Sequence, residues 1–325
     1  MDSKFNSKER NPSVKSSAPG KIILCGEHFV GFGLEAIAIP YKKRVYCEIS
    51  PNKEANFEIS FKDLGQSLKF DKIEATENSA RSLKALMKML EVFECHNHFF
   101  KAEIYSDLSI GAGFGSSAAF ATAISKALAD FENKFYGLDK YGRIEKSILE
   151  SETIMHLKPS GLDSRITLGE KAVIFKKTND NSMFSEIELP GFDLYYMVAR
   201  SEKATSEMIE SFISEKQRLG ERSFNEIKSK YNDAFNLVRS GLQNKSYESF
   251  CLGMQKISDL LKKFPLMSKT QEEIYRFVMS KGASFAKISG AGGGGLLIFG
   301  GPIKDLEPFV KFAAQNKLEF AKFQV

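Results

Sequence analysis

Apolar and polar residues alternate with a period of two over 56–62, where Phe57, Ile59 and Phe61 share a face. That pattern predicts a half-buried strand. Further β-type segments are predicted at 21–25, 36–39, 44–50 and 100–106. Over 79–93 the period changes, and Leu83, Leu86, Leu90 and Phe93 fall at helical spacing. Helices are predicted at 116–131 and 141–156, and a short strand at 172–175. The polar run 176–182 reads as a turn or a domain boundary. The second half opens with an apolar strand at 193–199, followed by helical patterns over 205–215, 223–239 and 247–263. In the middle one, Phe224, Ile227, Tyr231, Phe235 and Val238 form a stripe that reads as core packing. A helix at 270–281, strands at 284–289 and 295–299, a helix near 306–315 and a strand near 318–323 complete the chain. Strands and helices mix in both halves without regular βαβ alternation, so the fold class is α+β in two domains.

The length of 325 residues agrees with two domains at about 150 residues each. Hydrophobic content of 42% and 28 Phe supply a core, which excludes wholesale disorder. No stretch approaches the roughly 18 apolar residues of a membrane span. Residues 1–16 are polar and lack the apolar region of a secretory signal. They are expected to form a flexible arm, with a basic partner-binding arm as the lesser reading. The net charge is +5, and no Lys/Arg block exceeds three residues, so nucleic acid is not implied. A small anionic ligand suffices to explain the charge. Cys25, Cys47, Cys95 and Cys251 are far apart, which fits reduced thiols in a cytoplasmic protein. Cys95-His96-Asn97-His98 has no second ligand pair at a standard spacing, so no metal is expected there.

The 24 glycines are unevenly placed: 20–33 holds four, 111–115 three and 290–301 seven. The segment I-G-A-G-F-G-S-S-A-A-F at 110–120 leads directly into a helix. Gly111, Gly113 and Gly115 allow close backbone approach, and Ser116 and Ser117 fall at a helix start with unpartnered N–H groups. Such a place binds phosphate, and a hydroxyl there can ligate Mg²⁺. A tight turn with a Ser cap is the plainer alternative. No Walker A lysine follows, and the spacing is not that of a dinucleotide-binding loop. In S-A-P-G-K-I-I-L-C-G-E-H at 17–28, Lys21 heads an apolar strand and Gly26-Glu27-His28 ends it. On spacing alone Lys21 is a solvated edge residue or a charge aimed into a cleft, and His28 is structural or functional. The third cluster, K-I-S-G-A-G-G-G-G at 287–295, is a floppy hairpin or a surface that another group approaches closely.

In the helix 141–156, Ile144, Ile148, Glu152 and Met155 share a face. A carboxylate on an apolar stripe is costly unless paired or bound to a metal. The P-S-G-L-D sequence at 159–163 then sets Asp163 on a constrained turn, as a surface residue or a working one.

Together the three glycine motifs resemble those of the GHMP kinase superfamily, in order and spacing, from Pro19 to Gly295. Within it the chain most resembles the mevalonate kinases. It carries A-P-G-K-x-x-L-x-G-E-H-x-V and the G-A-G-G-G-G loop. Glu152 and Asp163 stand eleven positions apart, with His156 and Pro159-Ser160-Gly161 between them. The resemblance implies an N-terminal domain (17–182) like ribosomal protein S5 domain 2. A ferredoxin-like C-terminal domain (183–325) follows, with ATP and acceptor in the cleft between. It implies that Asp163 accepts or orients the acceptor hydroxyl proton and that Lys21 stabilises charge beside it. Gly111, Ala112, Gly113, Phe114, Gly115, Ser116 and Ser117 would hold the ATP phosphates. Ser117 and Glu152 would ligate Mg²⁺, and Glu27, His28, Ser160, Thr205 and Gly292 would line the acceptor side. The implied activity is phosphorylation of the mevalonate 5-hydroxyl, with ATP and a mevalonate-like acceptor as partners. A homodimer stays open.

This sequence departs from the family pattern at Leu157, Lys158, Ser164, Arg165, Gly169-Glu170, Leu108-Ser109-Ile110 and Phe114. The changes beside Asp163 touch the acceptor. Lys158 and Arg165 suit a phosphorylated mevalonate, or are solvated surface residues. Homoserine and sugar kinases of the superfamily, a decarboxylase of the same fold, and a non-catalytic ATP-binding sensor are the rival readings. The sensor reading expects loss of Lys21, Ser117, Glu152 or Asp163, and all four are present.

Overall fold

The computed structural model describes residues 12–109, 111–155, 161–177, 182–200 and 203–325. In chain order the elements are β1 (Val14–Cys25), a 3-10 turn (Phe29–Phe32), β2 (Glu35–Pro51), β3 (Phe57–Phe61), β4 (Gln66–Phe70), α1 (Arg81–Val92), β5 (Phe100–Ser106) and α2 (Ser116–Tyr136). A second 3-10 turn (Tyr141–Arg143) leads into α3 (Ile144–Met155), α4 (Leu162–Gly169), β6 (Val173–Lys177), β7 (Ser182–Glu186) and β8 (Asp193–Ala199). The chain ends with α5 (Thr205–Gln243), α6 (Tyr247–Leu261), α7 (Lys269–Ser280), β9 (Phe285–Ile288), β10 (Gly295–Gly300), α8 (Glu307–Gln315) and β11 (Glu319–Gln324). The fold is mixed α+β, as the sequence predicts. Strand begins at Val14, so the last three positions of the expected arm are strand, and 1–11 lie outside the described residues. The segments predicted at 36–39 and 44–50 are one 17-residue strand, β2. Elements β4, α4 and β7 had no predicted counterpart. Of the run 176–182, Lys176 and Lys177 end β6 and Ser182 opens β7, while 178–181 lie outside the described residues.

The chain forms two compact units, each assembled from separate stretches. Unit one comprises 1–20, 41–108 and 115–170. In it the second part of β2 pairs antiparallel with β5, β5 parallel with β3, and β3 antiparallel with β4. Helix α2 is the buried axis of this unit, with Ala118, Ala119, Ala121, Ala123, Ala127 and Leu128 all in the core. Small side chains let α3 and α4 pack closely, and Ser125 and Thr122 on α2 bond Ser147 and Thr167 at 2.9 and 2.8 Å. Gly137, left-handed at φ 68°, ends the helix by donating its N–H to the Asn133 carbonyl.

Unit two comprises 21–40, 109–114 and 171–325. The first part of β2 pairs with β6, and β6 with β7, both antiparallel. A separate antiparallel sheet runs in the order β11-β8-β10-β9. Tyr195, Met197 and Ala199 project from one face of β8 at period two. They enter a core with Leu297 and Phe299 of β10, Ile274 and Val278 of α7, and Phe309 of α8. Among the described residues no helix is long and apolar enough to cross a membrane.

Candidate active site

In unit two the three glycine-rich segments converge. The Lys21 N–H donates to the Phe114 carbonyl at 2.7 Å, which fixes the first segment beside the second. The Ile23 N–H donates to Ser289 Oγ at 3.1 Å, which fixes the first beside the third. The second and third meet backbone to backbone. A Cβ on Gly113 would lie 3.3 Å from the Ser289 carbonyl oxygen, and one on Gly295 would lie 3.0 Å from that of Ala112. A larger residue at either position would need the facing backbone to give way and would be strained at φ 92° or 75°. Of the two readings of the 287–295 cluster, close approach of another backbone is the one the geometry supports. Phe114 stands edge-on to Tyr196 of β8, 5.2 Å between centroids, and anchors the second segment.

The glycine loop is held from its other side by residues that motif spacing does not single out. Gln271 on α7 donates from Nε2 to the Gly294 carbonyl at 2.8 Å and accepts the Gly294 N–H on Oε1 at 3.0 Å. The Leu266 carbonyl accepts the Gly293 N–H at 2.7 Å. A cavity of about 650 Å³ lies beside Leu266, lined also by Phe264, Met267, Tyr275 and Arg276. Ser268-x-x-Gln271 reads as a capping pair in the sequence, and Gln271 does cap α7. Its second task on the loop has no local signal.

Lys21 is 5% exposed and His28 8% exposed. His28 Nε2 donates to the Ala291 carbonyl at 2.9 Å, and its ring stacks on Phe212 with 4.7 Å between centroids. Burial lowers its pKa below the ordinary 6.5, against the pull of the Ala291 carbonyl. The Glu27 side chain is fully buried and bonds to Lys287 of β9. Burial pushes its carboxyl above the usual range, while the Lys287 ammonium opposes the rise. Thr205 is exposed in the first turn of α5. Gly292 has φ 88° and lies against Leu266.

In unit one, Gly115 (φ 68°) caps α2 and supplies no side-chain acceptor. Ser116 and Ser117 follow in a first turn that holds no acidic residue, leaving its positive end suited to an anion. Glu152 on α3 is 5% exposed and accepts a hydrogen bond from Ser164 Oγ on α4 at 3.2 Å. Asp163 is half-buried in the first turn of α4, entered through Gly161 at φ 77°. Thus α3 and α4 bring Glu152 beside the residue next to Asp163. Ser164, in the sequence only a departure from the family pattern, is a hydrogen-bond partner of that carboxylate. Arg165 is exposed. His156, Lys158 and Ser160 lie outside the described residues. Serine hydroxyl and glutamate carboxylate are hard oxygen donors of the kind Mg²⁺ takes, together with phosphates and water. Among the described residues no group of three or more His, Cys, Asp or Glu is arranged to hold a metal by itself. Cys25, Cys47, Cys95 and Cys251 are free and buried.

Residues 80–169 match the family described as GHMP kinases N terminal domain. The mevalonate kinase of Pyrococcus furiosus is 26% identical over 317 residues, covering 90% of this chain and 91% of its own. Among solved structures, the L. major mevalonate kinase in complex with R-mevalonate superposes with a TM-score of 0.79 at 22% identity. It covers 98% of this chain and 99% of its own. The Methanococcus jannaschii mevalonate kinase also gives a TM-score of 0.79, at 24% identity, covering 97% and 98%.

Proposed function

We propose that the chain is a GHMP kinase, most like the mevalonate kinases, and that it transfers the γ-phosphoryl group of ATP directly to the 5-hydroxyl of mevalonate. The observation that carries the reading is the convergence of the three glycine-rich segments in unit two. Phosphoryl transfer needs little covalent chemistry from the protein and depends on positioning and charge neutralisation. Backbone packed this closely is suited to cradle phosphates.

In this reading the chain's own residues divide the work. Gly113–Ser116 present N–H groups to the phosphates, aided by the positive end of α2, with Gly111, Ala112 and Ser117 completing the segment. Ser117 and Glu152 would hold Mg²⁺, which would supply charge neutralisation on the phosphates when bound. Asp163 accepts or orients the proton of the acceptor hydroxyl. Lys21 offsets the negative charge that develops in transfer. His28, Ser160, Thr205 and Gly292 belong to the acceptor side. Free buried thiols suit a cytoplasmic enzyme.

The test is ADP release by purified protein with mevalonate, 5-phosphomevalonate, 3-phosphomevalonate, homoserine and galactose in parallel. Mevalonate is expected to be the best acceptor. Absence of turnover on mevalonate rejects the reading. Asp163→Asn is expected to lower kcat by about 10²–10⁴-fold while nucleotide still binds, because the phosphate segment is untouched. Near-normal turnover in that variant would remove Asp163 from its role.

A further inference from the structure

The side chains of Glu27 and Lys287 are both fully buried, and the ammonium of Lys287 bonds to the Glu27 carboxylate and to the Ile288 carbonyl, the latter at 2.6 Å. Two more bonds join the same stretches: Ile23 N–H to Ser289 Oγ, and His28 Nε2 to the Ala291 carbonyl. Residues 23–28 and 287–291 are therefore tied at three successive points, all at the root of the glycine loop. The second carboxylate oxygen of Glu27, Oε2, is buried without a hydrogen-bond partner. A buried ion pair left with an unsatisfied oxygen is poor as a source of stability, because apolar residues of similar volume do as well or better. What a charged pair adds is registry. Apolar side chains can slide past each other, whereas an ammonium shared between a carboxylate and a carbonyl has one arrangement.

We propose that Glu27 and Lys287 are a positioning pair that sets the conformation of the 290–295 loop, and through it the rate of phosphoryl transfer, with Glu27 making no contact with the acceptor. This rests on the kinase reading above. It assigns Lys287 a role, and it gives Glu27 a different one from the acceptor contact that the motif resemblance implies. The carboxylate is closed in by β9 and has no open face toward a ligand.

The double variant Glu27→Leu/Lys287→Met removes both charges at nearly constant volume, so it is expected to fold. Two readouts are compared with the wild type: amide hydrogen exchange over 288–296, and steady-state ADP release with mevalonate. The expected result is exchange faster by at least about tenfold in the loop. With it, kcat falls at least about tenfold and the acceptor KM moves less than about threefold. Lys287→Arg, which keeps the charge, is expected to recover most of kcat. A folded double variant with wild-type exchange and kcat overturns the proposal, since the pair would then be structural only. An acceptor KM raised by about tenfold or more at unchanged kcat also overturns it, by placing Glu27 on the acceptor. Should the double variant fail to fold, Glu27→Gln carries both readouts, and the same two results would overturn the proposal. Absence of turnover in the wild type defeats the kinase reading alone, and the exchange measurement then still decides whether the pair holds the loop.

Discussion

His28 is kept neutral by its surroundings. The folded protein withholds a proton that the unfolded chain takes up near the ordinary value of 6.5. The folded value is the lower one, so stability is complete above about pH 6.5 and declines as pH falls below it toward the folded value. Thermal midpoints measured from about pH 7 to 5 should therefore fall more steeply in the wild type than in His28→Gln. Parallel slopes would show that His28 takes no part in the acid response. Gly292 is constrained in another way. A Cβ there would sit 2.2 Å from the Leu266 carbonyl oxygen, on a backbone at φ 88°. Gly292→Ala should cost at least about 1–3 kcal/mol, read as a shift in the urea midpoint, and the loop must move to accept it. Neither effect is visible in the motif string. There His28 is one letter of G-E-H and Gly292 one of four glycines.

Elements of regular period were legible. Strands β5 and β8 occupy the ranges predicted for them, and the stripe from Phe224 to Val238 is buried in α5 as expected. The two helices predicted over 205–215 and 223–239 are both present within α5 (Thr205–Gln243), and they meet at a kink at Gly220 with φ 78° and ψ 161°. That conformation is essentially restricted to glycine. No atom lies within 4 Å of the Cβ that Gly220 lacks, so only backbone strain opposes a side chain there. Gly220→Ala should lower the unfolding free energy by about 1–3 kcal/mol and leave ADP-release kinetics unchanged. A denaturation curve that overlays the wild type would refute the strain argument. Strands β4 and β7 escaped prediction because most of their side chains are solvent-facing, so no apolar alternation marks them. Helix α4 escaped because its eight residues are too few to show a period.

In the molecule as a whole, the two compact units are not consecutive pieces of chain. Unit two draws 21–40 and 109–114 from the first half of the sequence. A fragment of 183–325 would therefore lack Glu27, Ile23 and the 111–114 backbone against which the glycine loop packs. It would leave Lys287 buried without its carboxylate, at a cost of about 3–5 kcal/mol. Such a fragment should show no cooperative thermal transition by circular dichroism. A sharp melt like that of the full chain would contradict the interdependence described here. Much of the candidate site was legible from motifs, because Lys21, the 111–117 segment, Glu152 and Asp163 each carry a local signal of glycine, cap or lone carboxylate. The clamps on the loop were not, because Gln271, Leu266 and Lys287 act through contacts with residues distant in the chain.

The sequence by itself determined which strongly periodic elements form, where backbone can approach backbone, and where hydroxyl and charged side chains stand beside the glycine motifs. Those properties are local: period, glycine placement and the presence of a charge are written in neighbouring residues. Only the tertiary structure decided that the three glycine segments meet, that the Glu27 carboxylate pairs with Lys287, and that Ser164 bonds to Glu152. Each of these depends on which distant residue a folded chain brings within about 3 Å, and spacing along the chain carries no information about that.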